Sequence, residues 1–223
     1  MSTHTESSLP PNGLLFVASD VDAADEADFN RWYDREHVEE RVRIPGFLSG
    51  ARYLSRDGGR KYLGLYRTES LAAFTTPDYR QAFERQTPWS VANLGRMRDP
   101  MRRVCAMQAV TGFGSGSQIV VLPLPGAAGG DALIARARRA GADLAESDGF
   151  VQSYLLVPDT GLSTPLPRES TENRQLAPIF MVEASTAQAA QALRGRAASA
   201  FKASPSDAWL FELGWKLNAA DLR

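Results

Sequence analysis

The strongest constraint in this sequence is an internal repeat. The phrase GFLSGARYLSRDGG begins at Gly46, and GFVQSYLLVPDTG begins at Gly149. Each follows an amphipathic stretch and precedes a second strand-like run, so the echo is one of position as well as of letters. Self-similarity of this kind marks a duplicated structural unit and bounds the fold before any single element is read.

Within the first unit, Gly13 to Val21 (GLLFVASDV) is a short apolar run with a β-rich centre and reads as a strand. Asp22 and Asp25 offer helix-starting residues and early negative charge, so a helix is expected from about Glu26 to Val42. It should stop at Ile44-Pro45-Gly46, because Pro45 disfavours helical backbone at Ile44 and Gly46 permits a reversal. Phe47 to Leu54 and Lys61 to Tyr66 read as a hairpin turned at Asp57-Gly58-Gly59. Ser70 to Gln86 reads as helical with Thr75-Thr76-Pro77 breaking or offsetting its start, Thr87-Pro88-Trp89 as a cap over the sheet end, and Met97 to Phe113 as a strand centred on VCAMQAV.

The order β-α-β-β-α-β is that of a ferredoxin-like unit. It then recurs in Gln118–Leu124, Asp131–Leu144, Phe150–Val157, Ile179–Glu183, Thr186–Phe201 and Trp209–Leu217. An insertion at 161–177, polar and Pro-rich, reads as a long loop and should be mobile, as should a polar tail at 1–12. The expected fold is therefore α+β: two tandem ferredoxin-like (βαββαβ) halves, 13–113 and 116–223. They should pack sheet to sheet as a pseudo-dimeric α+β barrel, with the helices outside.

Charge excludes some partners. Lys and Arg number 25 against 26 Asp and Glu in 223 residues, so no basic excess favours a nucleic acid. No apolar run approaches the ~18 residues of a membrane helix. The only cysteine, Cys105, lies in a strand-like run and reads as inert core, which fits a reducing, cytoplasmic setting. With no HExxH motif and no Cys or His set, a metal site is not expected.

His37 is the only histidine outside the tail; the other is His4. On a helix it shares a face with Tyr33 and Phe29, four and eight residues earlier, and that stripe either lines a pocket or packs on the sheet. Trp32 neighbours Glu36 on the next stripe, while Arg41 falls among charges read as solvated ion pairs. Arg52 and Tyr53 must point to opposite sides of their strand. If buried, Arg52 needs either a substrate carboxylate or an internal acid. Tyr62 and Tyr66 flank Gly64, which leaves a gap in the side-chain layer. Trp89 reads either as core or as a pocket lid.

The run Phe29-Asn30-Arg31-Trp32-Tyr33-Asp34-Arg35-Glu36-His37, with Ile44-Pro45-Gly46-Phe47 and Arg52-Tyr53 after it, resembles the dimeric α+β barrel superfamily. It is most similar to the EthD-like and related uncharacterised branches, and the likeness spans about half the chain. The resemblance implies relatives that include polyketide cyclases, muconolactone-type isomerases, cofactor-free monooxygenases, decarboxylases and haem-binding enzymes, so fold alone does not decide function. The second half's corresponding helix, DALIARARRAGADL, has no Trp, Tyr or His, so a single site in the first half follows.

One reading is a cofactor-free lyase, isomerase or cyclase acting on a small aromatic or carboxylated compound. In it His37 moves a proton, Arg52 holds an anionic group, and Trp32, Tyr33, Tyr62 and Trp89 shape the pocket. Haem carried by His37 is the cofactor alternative. A binding or stress-response module with the same pocket, and a purely structural protein with none, are the other readings. The second half covers the first, so a monomer can be complete, and homodimerisation through other surfaces stays open.

Overall fold

A computed structural model of the chain describes residues 11–127 and 129–222. Most of the tail expected at 1–12, His4 included, lies outside the described residues. Asn12 is held in place: it accepts from Arg67 and donates to the Glu69 carbonyl.

Eight strands carry the fold: β1 (Gly13–Asp20), β2 (Phe47–Asp57), β3 (Tyr62–Thr68), β4 (Arg98–Gly112), β5 (Gln118–Pro123), β6 (Phe150–Pro158), β7 (Ile179–Ala184) and β8 (Trp209–Asn218). They close into one barrel in the order β1-β3-β2-β8-β5-β7-β6-β4, and every neighbouring pair is antiparallel. The first four strands stand as β4-β1-β3-β2 and the last four as β8-β5-β7-β6, the same permutation twice. The seams are β2 with β8 and β4 with β6. The two groups of strands are thus not merely stacked: their edges are hydrogen-bonded together, which leaves no open strand edge for other chains.

The helices lie outside the barrel. In the first part they are α1 (Glu26–Trp32), a π-turn at Tyr33–His37, α2 (Val38–Val42), α3 (Pro77–Glu84) and α4 (Pro88–Arg96); in the second they are α5 (Asp131–Ala145) and α6 (Ala187–Phe201). The helical region expected over Ser70–Gln86 divides at Thr75-Thr76-Pro77, into a 3-10 turn, Leu71–Thr75, and α3. Thr87-Pro88-Trp89 is not a loose cap but the start of α4. The cause is a Thr-Pro pair used twice. Thr76 and Thr87 each accept a backbone N–H three residues on, and each is followed by a proline at the first helical position.

Three apolar layers result. Leu14, Phe16, Leu63, Tyr154 and Phe211 fill the barrel interior with Cys105, whose thiol burial pushes up and keeps protonated. Leu15, Val17, Phe29, Trp32 and Tyr66 lie between the first strands and their helices. Val120, Leu122, Phe180 and Leu193 do the same in the second part. Both faces of β1 are covered, which is why it reads as an unbroken apolar run rather than an alternating one. Gly46 and Gly149, the first letters of the repeated phrase, both have positive φ (+86° and +76°). A Cβ on Gly149 would meet the Ala189 Cβ at 2.5 Å, and one on Gly46 the Ala73 Cβ at 3.1 Å. The echo therefore marks equivalent turns pressed against equivalent neighbours.

The 161–177 segment has no strand or helix, yet it is tied down along β4. Ser163 bonds both the N–H and the carbonyl of Val104. Glu169, almost fully buried, accepts from Arg103, from Arg174 at 2.7 Å and from the Arg102 N–H at 3.1 Å. Burial pushes the Glu169 carboxyl up, but the hydrogen bonds from Arg174 and Arg103 outweigh it and hold it below its ordinary value. The segment is thus a strap from the β6–β7 connection laid across the first part of the chain.

Candidate functional site

The π-turn at Tyr33–His37 decides what the first helix presents to the sheet. A π-turn places one extra residue in the coil and often occurs at functional sites. Here Trp32, Tyr33, His37 and Arg41 are all buried, so two neighbouring stripes of an ordinary helix face inward together. The Trp32 ring lies against the His37 ring at 4.2 Å between centroids, and Tyr33 meets it edge-on at 5.2 Å. Trp32 is fixed in turn by α4: its indole N–H donates to Ser90 Oγ at 3.0 Å, and Ser90 and Thr87 both donate to Glu36.

His37, Tyr33, Arg41, Tyr66, Arg102 and Leu166 wall a small cavity of about 30 Å³, with Met97 and Leu94 among the apolar remainder. Four buried polar atoms on this wall have no hydrogen-bond partner: His37 Nδ1, Arg41 Nη1, Tyr66 Oη and Arg102 Nε. Buried polar groups are nearly always satisfied, so four on one small cavity point to a missing partner. Arg41 is 3% exposed, and among the described residues no carboxylate pairs with it. Arg102 is 4% exposed; its remaining donors go to Tyr79 Oη and to Leu162 and Thr164 of the strap, all neutral. Two guanidiniums without acids make this an anion-seeking cavity. A larger groove of about 580 Å³ over Leu124, Phe201 and Trp209 carries no such orphaned atom.

The electrostatics follow. Burial first, then the charges of Arg41 and Arg52, hold the His37 imidazole well below its ordinary 6.5, so it is neutral near pH 7. Burial pushes Tyr33 up to about 12 and Tyr66 well above its ordinary value, so both are phenols. The unpaired cation should also cost stability. Replacing Arg41 by Met removes an uncompensated charge, which we expect to stabilise the ligand-free protein by about 1–4 kcal/mol. The lost stacking of Arg41 on Phe83 (4.8 Å) offsets only about 0.5–1 kcal/mol of that. Thermal melting checks this: a rise of about 2–4 °C per kcal/mol is expected, and a fall would mean that Arg41 already has its partner.

Of the residues singled out in the sequence, Tyr33 and His37 line the cavity and Trp32 backs the imidazole. Arg52 does not reach it. Its guanidinium donates to Asp34 at 3.1 Å and Asn30 at 2.7 Å and lies over Tyr33 at 4.4 Å, beyond the tyrosine ring from the cavity. Tyr62 donates to Glu26 and stacks with Arg52 at 5.0 Å. Trp89 donates to Asp28 at 3.1 Å and helps dock α4 on α1. The gap expected over Gly64 is filled by the Tyr33 ring, whose hydroxyl comes within 3.7 Å of a Cβ placed there. Sequence reading passed over Arg41 and Arg102. The spacing of Tyr33, His37 and Arg41 by fours was a usable signal for the first; nothing local marks the second.

Haem does not fit beside His37. The cavity has room for about one water, and Arg41, Tyr66 and Leu166 wall it. Among the described residues no three His, Cys, Asp or Glu side chains gather as a metal site, and no helix is long and apolar enough to cross a membrane.

No protein-family model matches the sequence, and no curated protein matches it. Solved structures do match. An anthrone oxidase-like protein superposes with a TM-score of 0.64 at 12% identity, covering 94% of this chain and 93% of its own. A putative monooxygenase from Fusobacterium nucleatum gives 0.53 at 11%, covering 94% and 95%. A putative chlorite dismutase gives 0.54 at 12%, covering 95% and 97%. The fold is the dimeric α+β barrel. At these identities the likeness is one of fold alone.

Proposed function

We propose that this protein is a cofactor-free small-molecule enzyme whose His37 takes a proton from a bound aromatic or carboxylated compound. What carries the reading is the convergence of four unpartnered polar groups on one buried cavity. In it the neutral imidazole accepts a proton from an acidic C–H or O–H and becomes imidazolium. The electron pair stays on the ligand, and the anionic oxygen it creates is held by Arg41, Arg102 and the Tyr66 hydroxyl. The low basicity of His37 comes from burial and from the charges of Arg41 and Arg52. An anion between His37 and the arginines offsets their field, so the imidazole becomes a stronger base when the ligand is present. Lyase, isomerase and cyclase steps all begin this way, and the likeness in fold to an anthrone oxidase-like protein favours an aromatic substrate.

We further read the chain as two ferredoxin-like halves, 13–113 and 116–223, joined in tandem, with the site built on the first and closed by Leu166 of the second. The repeated strand permutation supports this, and the W-Y-x-x-E-H helix supports an EthD-like origin of the first half.

The test is a turnover screen of phenolic acids, lactones and polyketide-like compounds. His37→Ala should lower kcat/KM by about a hundred- to ten-thousand-fold. For the wild type, activity should hold as pH drops past 6.5 and fail only below it, because the free imidazole titrates below its ordinary value. Equal turnover in wild type and His37→Ala would end the proposal. Ligand binding without turnover would make the protein a binding module.

A further inference from the structure

The His37 cavity, at about 30 Å³, is too small for an aromatic compound, but it has a neighbour. A groove of about 270 Å³ opens on the surface between α3 and the strap, over Phe74, Tyr79, Leu162 and Thr164. Phe83 and Arg102 line both spaces, so these two side chains form a shared wall between them.

Phe83 is an unusual wall. It sits near the C-terminal end of α3 and is 38% exposed. The Arg41 guanidinium lies over its ring at 4.8 Å and that of Arg102 at 5.7 Å, while the edge of Tyr79 meets it at 5.1 Å. The two cations that lack an acid thus share the face of one half-exposed aromatic ring. Cation–π contact compensates a desolvated guanidinium only in part, about 0.5–2 kcal/mol. A ring that also carries a negative oxygen would satisfy both cations better than Phe83 does.

We infer that Phe83 occupies the place of the ligand's own ring, and that the ligand is a flat aromatic anion of at least two rings. Its anionic end reaches Arg41, Arg102 and His37, while its far ring lies in the groove under Leu162. This rests on the reading of the His37 cavity given above. It adds the size and charge of the ligand, the groove as a second subsite, and Phe83 and the strap as what selects for them. Phe83 turns outward to admit the ring, a rotation that its exposure permits and that a fully packed core side chain would not.

Direct binding to the full chain tests this apart from catalysis. Titration calorimetry with 2-naphthoate should show binding to the wild type. Affinity should rise about tenfold in Phe83→Ala, where the internal competitor is gone, and fall about tenfold or more in Arg41→Met. The neutral 2-naphthamide should bind at least about tenfold more weakly than 2-naphthoate, and benzoate, which leaves the groove empty, should gain less from Phe83→Ala. Undetectable 2-naphthoate binding in both wild type and Phe83→Ala, or undiminished binding in Arg41→Met, overturns the inference. So does an affinity indifferent to Phe83→Ala. If His37→Ala still abolished turnover of a screened substrate in that last case, the proposed proton transfer would stand while the groove and Phe83 lost their role.

Discussion

A chain ended after Phe113 is expected to associate or aggregate, whereas the full chain needs no partner to fold. The interior faces of β1, β3 and β4 carry Leu14, Phe16, Leu63, Leu65 and Met107, each 6% exposed or less in the whole protein. Without β5 to β8 those side chains meet water. Apolar surface costs about 25 cal/mol per Å² to expose, and the buried rows on four strands would form a patch far larger than a soluble monomer tolerates. The truncation also frees the edges of β2 and β4, which are paired with β8 and β6 in the full barrel. Free edges beside an apolar face are templates for further pairing. A dimer that rebuilds the barrel is the ordered outcome and aggregation the disordered one; light scattering and sedimentation distinguish them. A truncated chain that stayed monomeric, soluble and cooperatively folded would show that its sheet never needed cover, and the tandem reading would go with it.

Glu169→Ala should be among the most damaging single substitutions outside the apolar core. The carboxylate takes hydrogen bonds from Arg103, Arg174 and the N–H groups of Arg102 and Leu166. Its removal leaves the Arg103 guanidinium, 7% exposed, with only backbone carbonyls. Breaking a buried pair from one side costs about 3–5 kcal/mol, or about 2–4 °C in Tm for each kcal/mol in a chain of this size. The strap should loosen as well, so the Val104 amide, held by Ser163, should exchange faster with solvent. Because the folded carboxyl is held below its ordinary 4.5, its contribution is complete above that value and lost as pH falls through the lower folded one. Glu169→Gln, which keeps the shape, should cost less than the alanine. A loss under about 1 kcal/mol in Glu169→Ala would mean that the strap is held by other contacts.

The cavity depends on that strap. Leu166 closes one wall, and Leu162 and Thr164 hold Arg102 by their carbonyls. A segment of the second part therefore completes a site in the first. Nothing in the polar, Pro-rich composition of 161–177 signalled this, since its anchor is one glutamate among seventeen residues that otherwise read as loop.

Much of the rest was legible in the residues. Strand order, the hairpin at Asp57-Gly58-Gly59 and the stop at Pro45-Gly46 are set by neighbours in the chain: fixed proline φ, glycine at positive φ, alternation of apolar side chains. Such signals act over a few residues and survive translation into three dimensions. Alternation also placed Arg52 and Tyr53 on opposite sides, and they lie there, Tyr53 in the barrel and Arg52 under the first helix. The Thr-Pro break at Thr76-Pro77 was equally local and was legible, whereas the same signal at Thr87-Pro88 was read as a cap and in fact starts α4. The π-turn, the burial of Arg41 and the capture of Arg102 were of another kind. An arginine in Glu-Glu-Arg-Val-Arg reads as solvated because burying it costs more than any local contact returns. Only the closed barrel, bringing Leu162 to Arg102 across 60 residues and Phe83 to Arg41 across two helices, supplies the surroundings that make its burial bearable. Sequence alone determined the strands and the places of most helices, because those follow from short-range sterics and periodicity. Tertiary structure decided where the unpaired charges meet, because that depends on which distant residues withhold a carboxylate.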